Sequence, residues 1–509
     1  MKNKRTIINL FCSLSVLAIG IGISFVLSPF IVKSIGVEAN GFVTLANNFV
    51  GYANIIVIAL NGMAARYISI SYHQKDYNKA NVYYNSVFWG NIILLLIITL
   101  PVGLFLFFLD SFIDIPKELV FDVKLLFSLI FGGFYLQTGF PNYDCGTYVT
   151  NRLDRTYVPR MIVALIRCLF LFLSFSLFTP HVWYVGAASA LVATLLLIVE
   201  GHNTHKLTPE LKISFRERKK LVSSNALKEL VGTGIWNAIS NVGKMLYSSF
   251  DLIICNLFLG AKKMGILSLS KILLTLVDEL ANSISRVFLP QMTIYYAENN
   301  NLAFNKSIIK SMKIMSVLLT IPLAIIIVYG EDFYTLWIPS QDAKLLNAIS
   351  ILAISSYFLC SGSNILMNAF TVINKVKANS IAIIVSGALS IITTIMLLSY
   401  TSIGIYAVAG ISSIFIVLKD IIFTVPYLAH FIEIKKKQIY LQMILTALSS
   451  TVLVGIGMLL KHILRVNNWG SFIISILIYS IIALIINMVI QMNRNDIRTI
   501  LTKFRKKGD

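Results

Sequence analysis

Apolar residues in this chain gather into long continuous runs separated by short polar clusters, without the strict alternation of a half-buried strand. Fourteen such runs stand out, at 8-32, 42-66, 84-109, 123-146, 157-178, 182-199, 233-258, 266-290, 312-329, 345-372, 379-400, 403-427, 439-460 and 471-491. Most approach or exceed the ~20 residues that a helix needs to cross a bilayer, and they are too long for the roughly ten-residue strands of a membrane barrel. Lipid leaves only helices and closed barrels as spanning structures. The pattern therefore predicts an all-α polytopic membrane protein of about fourteen transmembrane helices. Composition agrees: 57% of residues are hydrophobic and only 13% are charged.

Two of the runs break the apolar rule in an ordered way. In the seventh helix Asn237, Asn241, Lys244, Ser248 and Asp251 recur at spacings of four and three, on one helical face. In the eighth, Lys271, Thr275, Asp278, Asn282 and Ser285 do the same, with Glu279 and Arg286 beside them. A charge near the bilayer centre costs at least ~2.5 kcal/mol on insertion scales, so these faces look into water or pair inside a bundle. A salt-bridged core and a translocation path both fit. Counted from the outer ends of the two helices, Lys244 and Asp278 come to similar depth, as do Asp251 and Lys271, at ~1.5 Å per residue. The expected pairs are therefore Lys244 with Asp278 and, farther out, Asp251 with Lys271. Asn61 closes a row of asparagines in the second helix, and Arg66 stands at its inner end much as Arg286 does in the eighth. An arginine this close to a helix end also has a plainer explanation, snorkelling to the interface. Tyr143, Asp144, Asn364 and Asn368 are weaker polar candidates, of the kind that serves helix packing.

A net charge of +20 points away from nucleic acid once the basic residues are placed. With the amino terminus inside, 31 of the 43 Lys and Arg fall on the inner side, 8 on the outer side and 4 within spans. The positive-inside rule then puts both termini in the cytoplasm. The first run is too long for a cleaved signal peptide and is read as retained. The five cysteines lie in or at the ends of apolar helices without a C-x-x-C pair, and His202 and His205 lack a third ligand nearby, so neither a disulfide framework nor a metal site is expected. No phosphate-binding glycine loop is present, and no cofactor is expected.

The chain also repeats itself. Gly36-Val37-Glu38-Ala39-Asn40-Gly41 between helices 1 and 2 returns 224 residues later as Gly260-Ala261-Lys262-Lys263-Met264-Gly265 between helices 7 and 8. Tyr72 and Tyr296 follow at the same offset, and Asn151-Arg152 is echoed by Asn374-Lys375. Internal duplication divides the chain into an N-terminal lobe at 1-200, a basic linker at 201-232, a C-terminal lobe at 233-430 and two further helices with a basic tail at 431-509. Six spans per lobe give both lobes one orientation, a parallel repeat. The linker is read as solvated and topology-setting, close to membrane lipids.

These features together resemble the polysaccharide flippase (Wzx-type) branch of the multidrug/oligosaccharidyl-lipid/polysaccharide exporter superfamily. The resemblance rests on the two six-helix lobes, the duplicated loop, Asn61-Gly62-Met63-Ala64-Ala65-Arg66-Tyr67 at the end of helix 2 and Gly404-Ile405-Tyr406-Ala407-Val408-Ala409-Gly410 opening helix 12. It implies export of a polyprenyl-pyrophosphate-linked oligosaccharide across the bacterial plasma membrane by alternating access. The destination would be a capsule, exopolysaccharide, O-antigen or teichoic acid, with a polymerase and glycosyltransferases as partners. Related lipid II flippases use cavity arginines from helices 1, 2 and 8. Arg66 and Arg286 match two of these, but helix 1 has no arginine beyond Arg5, which disfavours lipid II itself. On this reading Arg66, Arg286, Asn61, Asn237, Asn241, Lys244 and Asn282 bind substrate, and Asp251, Lys271, Asp278 and Glu279 gate or couple. Cation-coupled drug efflux is the alternative, although no acidic residue lies between Lys4 and Lys33 in helix 1. An enzyme acting on lipid-linked sugars would need a sizeable outer loop for its catalytic groups, and the outer loops are short.

Overall fold

The computed structural model describes residues 2–140, 144–150, 152–214, 221–432 and 434–492, and every regular element among them is helical. The helices follow the apolar runs in order. The first six are α1 (Lys2–Ile35), α2 (Val37–Asn61, resuming as Ala64–His73), α3 (Tyr77–Phe107), α4 (Val120–Gly139), α5 (Asp154–Leu177) and α6 (Trp183–Leu207). After the linker come α7 (Ser224–Ser248, resuming as Phe250–Leu259), α8 (Ala261–Ala297), α9 (Asn301–Trp337) and α10, which starts as Ala343–Ile354. The chain continues with α11 (Val376–Tyr400), α12 (Ile405–Lys419, continuing to Ile432), α13 (Lys436–Ile463) and α14 (Trp469–Gln491). Among the described residues eleven helices are long and apolar enough to cross a membrane, while Gly22–Ile35 and Ala343–Ile354 are shorter apolar helices. The remaining one, α8, has ample length at 37 residues. Its interior Lys271, Asp278, Glu279 and Arg286 keep it from being uniformly apolar.

The span expected over 345-372 is not one continuous helix. After Ile354 the chain passes through the single turn Tyr357–Cys360 and the 3-10 turn Gly362–Ile365 before Leu366–Val372. The cause is local. Ser355, Ser356, Ser361, Gly362 and Ser363 crowd this stretch, and serine hydroxyls compete for backbone carbonyls, as Ser355 Oγ does by donating to Leu352 O at 2.8 Å. The polar segment also differs from 201-232, because α6 runs on to Leu207 and α7 begins at Ser224.

The chain falls into two compact units, residues 1–245 with 252–266 and residues 246–251 with 267–509. In the first, α4 and α6 pack most extensively, through small residues: a Cβ on Gly186 would lie 2.9 Å from Leu126 O. The duplicated loop has its explanation here. Gly36 and Gly260 both take positive φ, 114° and 85°, which L side chains rarely adopt. Five residues on, Gly41 and Gly265 meet each other, since a Cβ on Gly41 would lie 2.9 Å from Gly265 Cα and one on Gly265 would lie 2.3 Å from Val37 O. The starts of α2 and α8 thus cross at contact distance, and only glycine fits at either position.

In the second unit α9 is the hub for α10, α13 and α14. Helices 13 and 14, which lie outside the sequence repeat, are joined to it by a buried polar ladder. Asn487 Nδ2 donates to Val317 O at 2.8 Å and to Thr320 Oγ1 at 2.5 Å, Ser316 and Thr446 hydroxyls meet at 2.8 Å, and Gln442 Nε2 donates to Gln491 Oε1 at 2.5 Å. In hydrocarbon such groups must find partners within the protein, so the ladder sets the register of these helices.

Candidate functional site

Of the two expected ion pairs, Lys271 with Asp251 forms as the spacing requires. Lys271 Nζ lies 2.8 Å from Asp251 Oδ2, with Lys271 8% and Asp251 6% exposed. The ammonium also donates to Ser248 O, and Ser412 Oγ approaches Asp251 Oδ1 at 3.5 Å with Ser390 behind it at 3.2 Å. These contacts bring α7, α8, α11 and α12 together around one buried, hydrogen-bonded pair. A lysine and an aspartate this deep are mutually obligatory, because either one alone would be an uncompensated charge.

About two helical turns along α8, the environment changes. Asp278 is half-buried and accepts a hydrogen bond from Tyr357 Oη, a partner on the broken helix α10 that spacing along the chain gave no means of anticipating. Asn368 Nδ2 donates to Ser285 O at 2.7 Å, which ties the end of α10 to the same stripe. Thr275, Glu279, Asn282 and Arg286 are exposed. Thus the stripe on α8 has two parts, a closed end at Lys271 and an open polar end running to Arg286.

In the first unit Arg66 is exposed on the short helix after the break in α2, and Lys244 is exposed on α7 beside half-buried Asn241. The side chain of Asn237, and Tyr143 and the Asp144 side chain, lie outside the described residues. Asn61 is already engaged: its carboxamide exchanges hydrogen bonds with that of Asn91 at 3.2 and 3.3 Å. That reciprocal pair ties α2 to α3.

A second charged cluster went unread in the sequence. In α12 the helix opens into a π-turn over Asp420–Thr424, where Lys419 Nζ lies 2.6 Å from Asp420 Oδ1 and 3.2 Å from Thr424 Oγ1. The side chains of Lys419 and Asp420 are about one-tenth exposed. Adjacent residues rarely face each other on an α-helix, so the extra residue in the π-turn accompanies a pairing that regular spacing would not bring about. Arg167, the other cation within the spans, has its Nε buried without a hydrogen-bond partner among the described residues. No group of three or more His, Cys, Asp or Glu there has the arrangement to hold a metal ion.

Comparison with known proteins places the chain. The family described as polysaccharide biosynthesis protein matches residues 8–296, more than half of the length. The chain belongs to this family. Over its whole length this polysaccharide biosynthesis protein is similar to the uncharacterized membrane protein EpsK of Bacillus subtilis (strain 168), 27% identical over 504 residues and 98% of each chain. Its fold is similar to that of an inward-facing multidrug resistance MATE family transporter of the MOP superfamily, at TM-score 0.67 and 15% identity, covering 84% of this chain and 98% of that one. It is also similar to the lipid II flippase MurJ in an inward closed conformation, at TM-score 0.64 and 17% identity, covering 95% and 98%. The family and fold are thus those of a multi-pass, all-helical membrane protein of polysaccharide biosynthesis.

Proposed function

We propose that this protein is a flippase that carries a polyprenyl-pyrophosphate-linked oligosaccharide from the inner to the outer leaflet of the bacterial plasma membrane, with both termini in the cytoplasm. The observation that supports this most is the open polar end of α8, where Thr275, Glu279, Asn282 and Arg286 are exposed on a helix of a membrane protein in a polysaccharide family. Lipid does not tolerate such a face, whereas a hydrated groove for a sugar requires one. A transporter, rather than an enzyme, fits this arrangement and the kinship of its fold with transporters and a lipid flippase.

In this reading Arg286 and Arg66 receive the pyrophosphate. A guanidinium offers a planar fork of donors that grips phosphate oxygens bidentately and stays charged beside an apolar wall, which an ammonium does not reproduce. Asn241, Asn282 and Lys244 contact the glycan, while the Lys271–Asp251 pair and Asp278 respond to the conformational cycle. The test is accumulation of lipid-linked oligosaccharide on the cytoplasmic leaflet in cells carrying Arg286→Lys or Arg286→Ala at wild-type abundance. Both variants are expected to accumulate it, the alanine variant more. Full export by both would refute the assignment, and loss of drug efflux with normal glycan export would favour the multidrug exporter reading.

A further inference from the structure

The segment that joins α6 to α7 is not a free tether. Residues 208–214 lie against the first turns of α3, held by two asparagines spaced one turn apart. Asn81 Nδ2 donates to Glu210 O at 2.9 Å while its Oδ1 accepts from Lys212 N at 2.8 Å. Asn85 repeats the arrangement one step along, with Nδ2 donating to Lys212 O at 2.9 Å and Oδ1 accepting from Ser214 N at 3.1 Å. Each carboxamide thus satisfies a carbonyl and an N–H two residues apart, as a neighbouring β-strand would. The contact is with the main chain, so side-chain identity in the strap matters little to it.

Four further contacts secure the segment and its continuation into α7. Leu211, 1% exposed, inserts into an apolar cluster with Leu60, Ala64, Tyr84, Val149 and Leu230. Tyr72 Oη donates to Glu210 Oε2 at 2.5 Å, which holds that carboxyl below the usual carboxylate range. Farther on, Ser223 N donates to Ser86 Oγ at 3.0 Å, and Tyr83 Oη donates to Glu229 Oε2 at 2.7 Å, already within α7. The strap therefore ties the end of α2, the start of α3 and the start of α7 into one body.

We propose that Asn81 and Asn85 form a main-chain-reading peptide site whose ligand is residues 210–214 of the chain's own segment between α6 and α7, and that this latch must stay docked for export. Docking of residues 208–214, together with the Ser223–Ser86 contact, holds the start of α7, the helix that carries Asn241, Lys244 and Asp251. The polar face of α7 then depends on the strap for its register against α3. The latch role rests on the transport reading above, whereas the peptide site itself does not.

The experiment compares the full-length protein with an Asn81→Leu/Asn85→Leu double variant by hydrogen exchange, and measures export for the same variants at equal abundance. The amides of Lys212 and Ser214 are expected to exchange at least tenfold faster in the double variant, with the helical amides of α5 unchanged and export severalfold lower. Lys212→Pro, which deletes one of the N–H donors, is expected to reproduce the loss, while Lys212→Ala retains wild-type exchange and export. Unchanged protection in the double variant would overturn the peptide site. Accelerated exchange with wild-type export would overturn the latch. Equal damage from Lys212→Ala and Lys212→Pro would show that the side chain, and not the main chain, is read. If even the wild type moves no lipid-linked glycan, the proposed substrate is wrong, and the exchange result still decides the site.

Discussion

Lys271 and Asp251 show how far a single residue's surroundings follow from its position in the sequence. Their depth along two antiparallel helices follows from counting residues, and that count brings them together at 2.8 Å. Removing one partner of a buried pair typically costs about 3–5 kcal/mol, more than replacing both. Lys271→Met and Asp251→Leu are each expected to lower the Tm of the solubilised protein markedly, and the double change to recover part of the loss. A double variant no more stable than the worse single one would show that the two side chains act independently. The contact between Asp278 and Tyr357 marks the limit of such counting. Tyr357 is 79 residues away on a helix interrupted by serines, and no periodicity connects the two. Asn61 is a similar case: an exposed-looking row of asparagines ends in a residue whose amide is spent on Asn91.

At the scale of the element, the repeated glycine loop is a packing device as well as a record of duplication. Gly36 and Gly260 supply the left-handed backbone that starts α2 and α8, and Gly41 and Gly265 let those helices touch. Gly265→Ala places a methyl group 2.3 Å from Val37 O and is expected to destabilise the protein by about 1–3 kcal/mol or more. Gly455→Ala, where a Cβ meets nothing within 4 Å, is the control and is expected to be neutral or to stabilise by about 0.5–1 kcal/mol. Thermal unfolding of the two variants measures the difference, and equal Tm values would mean that the crossing relaxes at little cost. The polar ladder on α9 offers a second check. Asn487→Leu strands the groups it pairs with, and a buried polar group left unpaired costs about 1–3 kcal/mol. Loss of Tm without loss of membrane insertion is the expected result, and an unchanged Tm would show that the ladder contributes no stability.

For the molecule as a whole, the basic residues predict an orientation. A reporter fused after Ile490 is expected to be active only as a cytoplasmic fusion, and activity only on the outer face would mean one span fewer or more than the fourteen read from the runs. Helix order, the all-α class, the duplicated loop and the polar stripe on α8 were determined by the sequence alone. Each depends on local hydrophobicity or on residue spacing along one helix, and a bilayer allows few other solutions. Tertiary structure decided what those elements do with their polar groups. The asparagines of α3 bind the strap, α13 and α14 attach to α9 through Thr446 and Asn487, and Gln442 joins α13 to Gln491 of α14. The chain's own spacing did not disclose these contacts or the π-turn at Lys419–Asp420, because a hydrogen bond between distant segments depends on which faces the folded chain brings together.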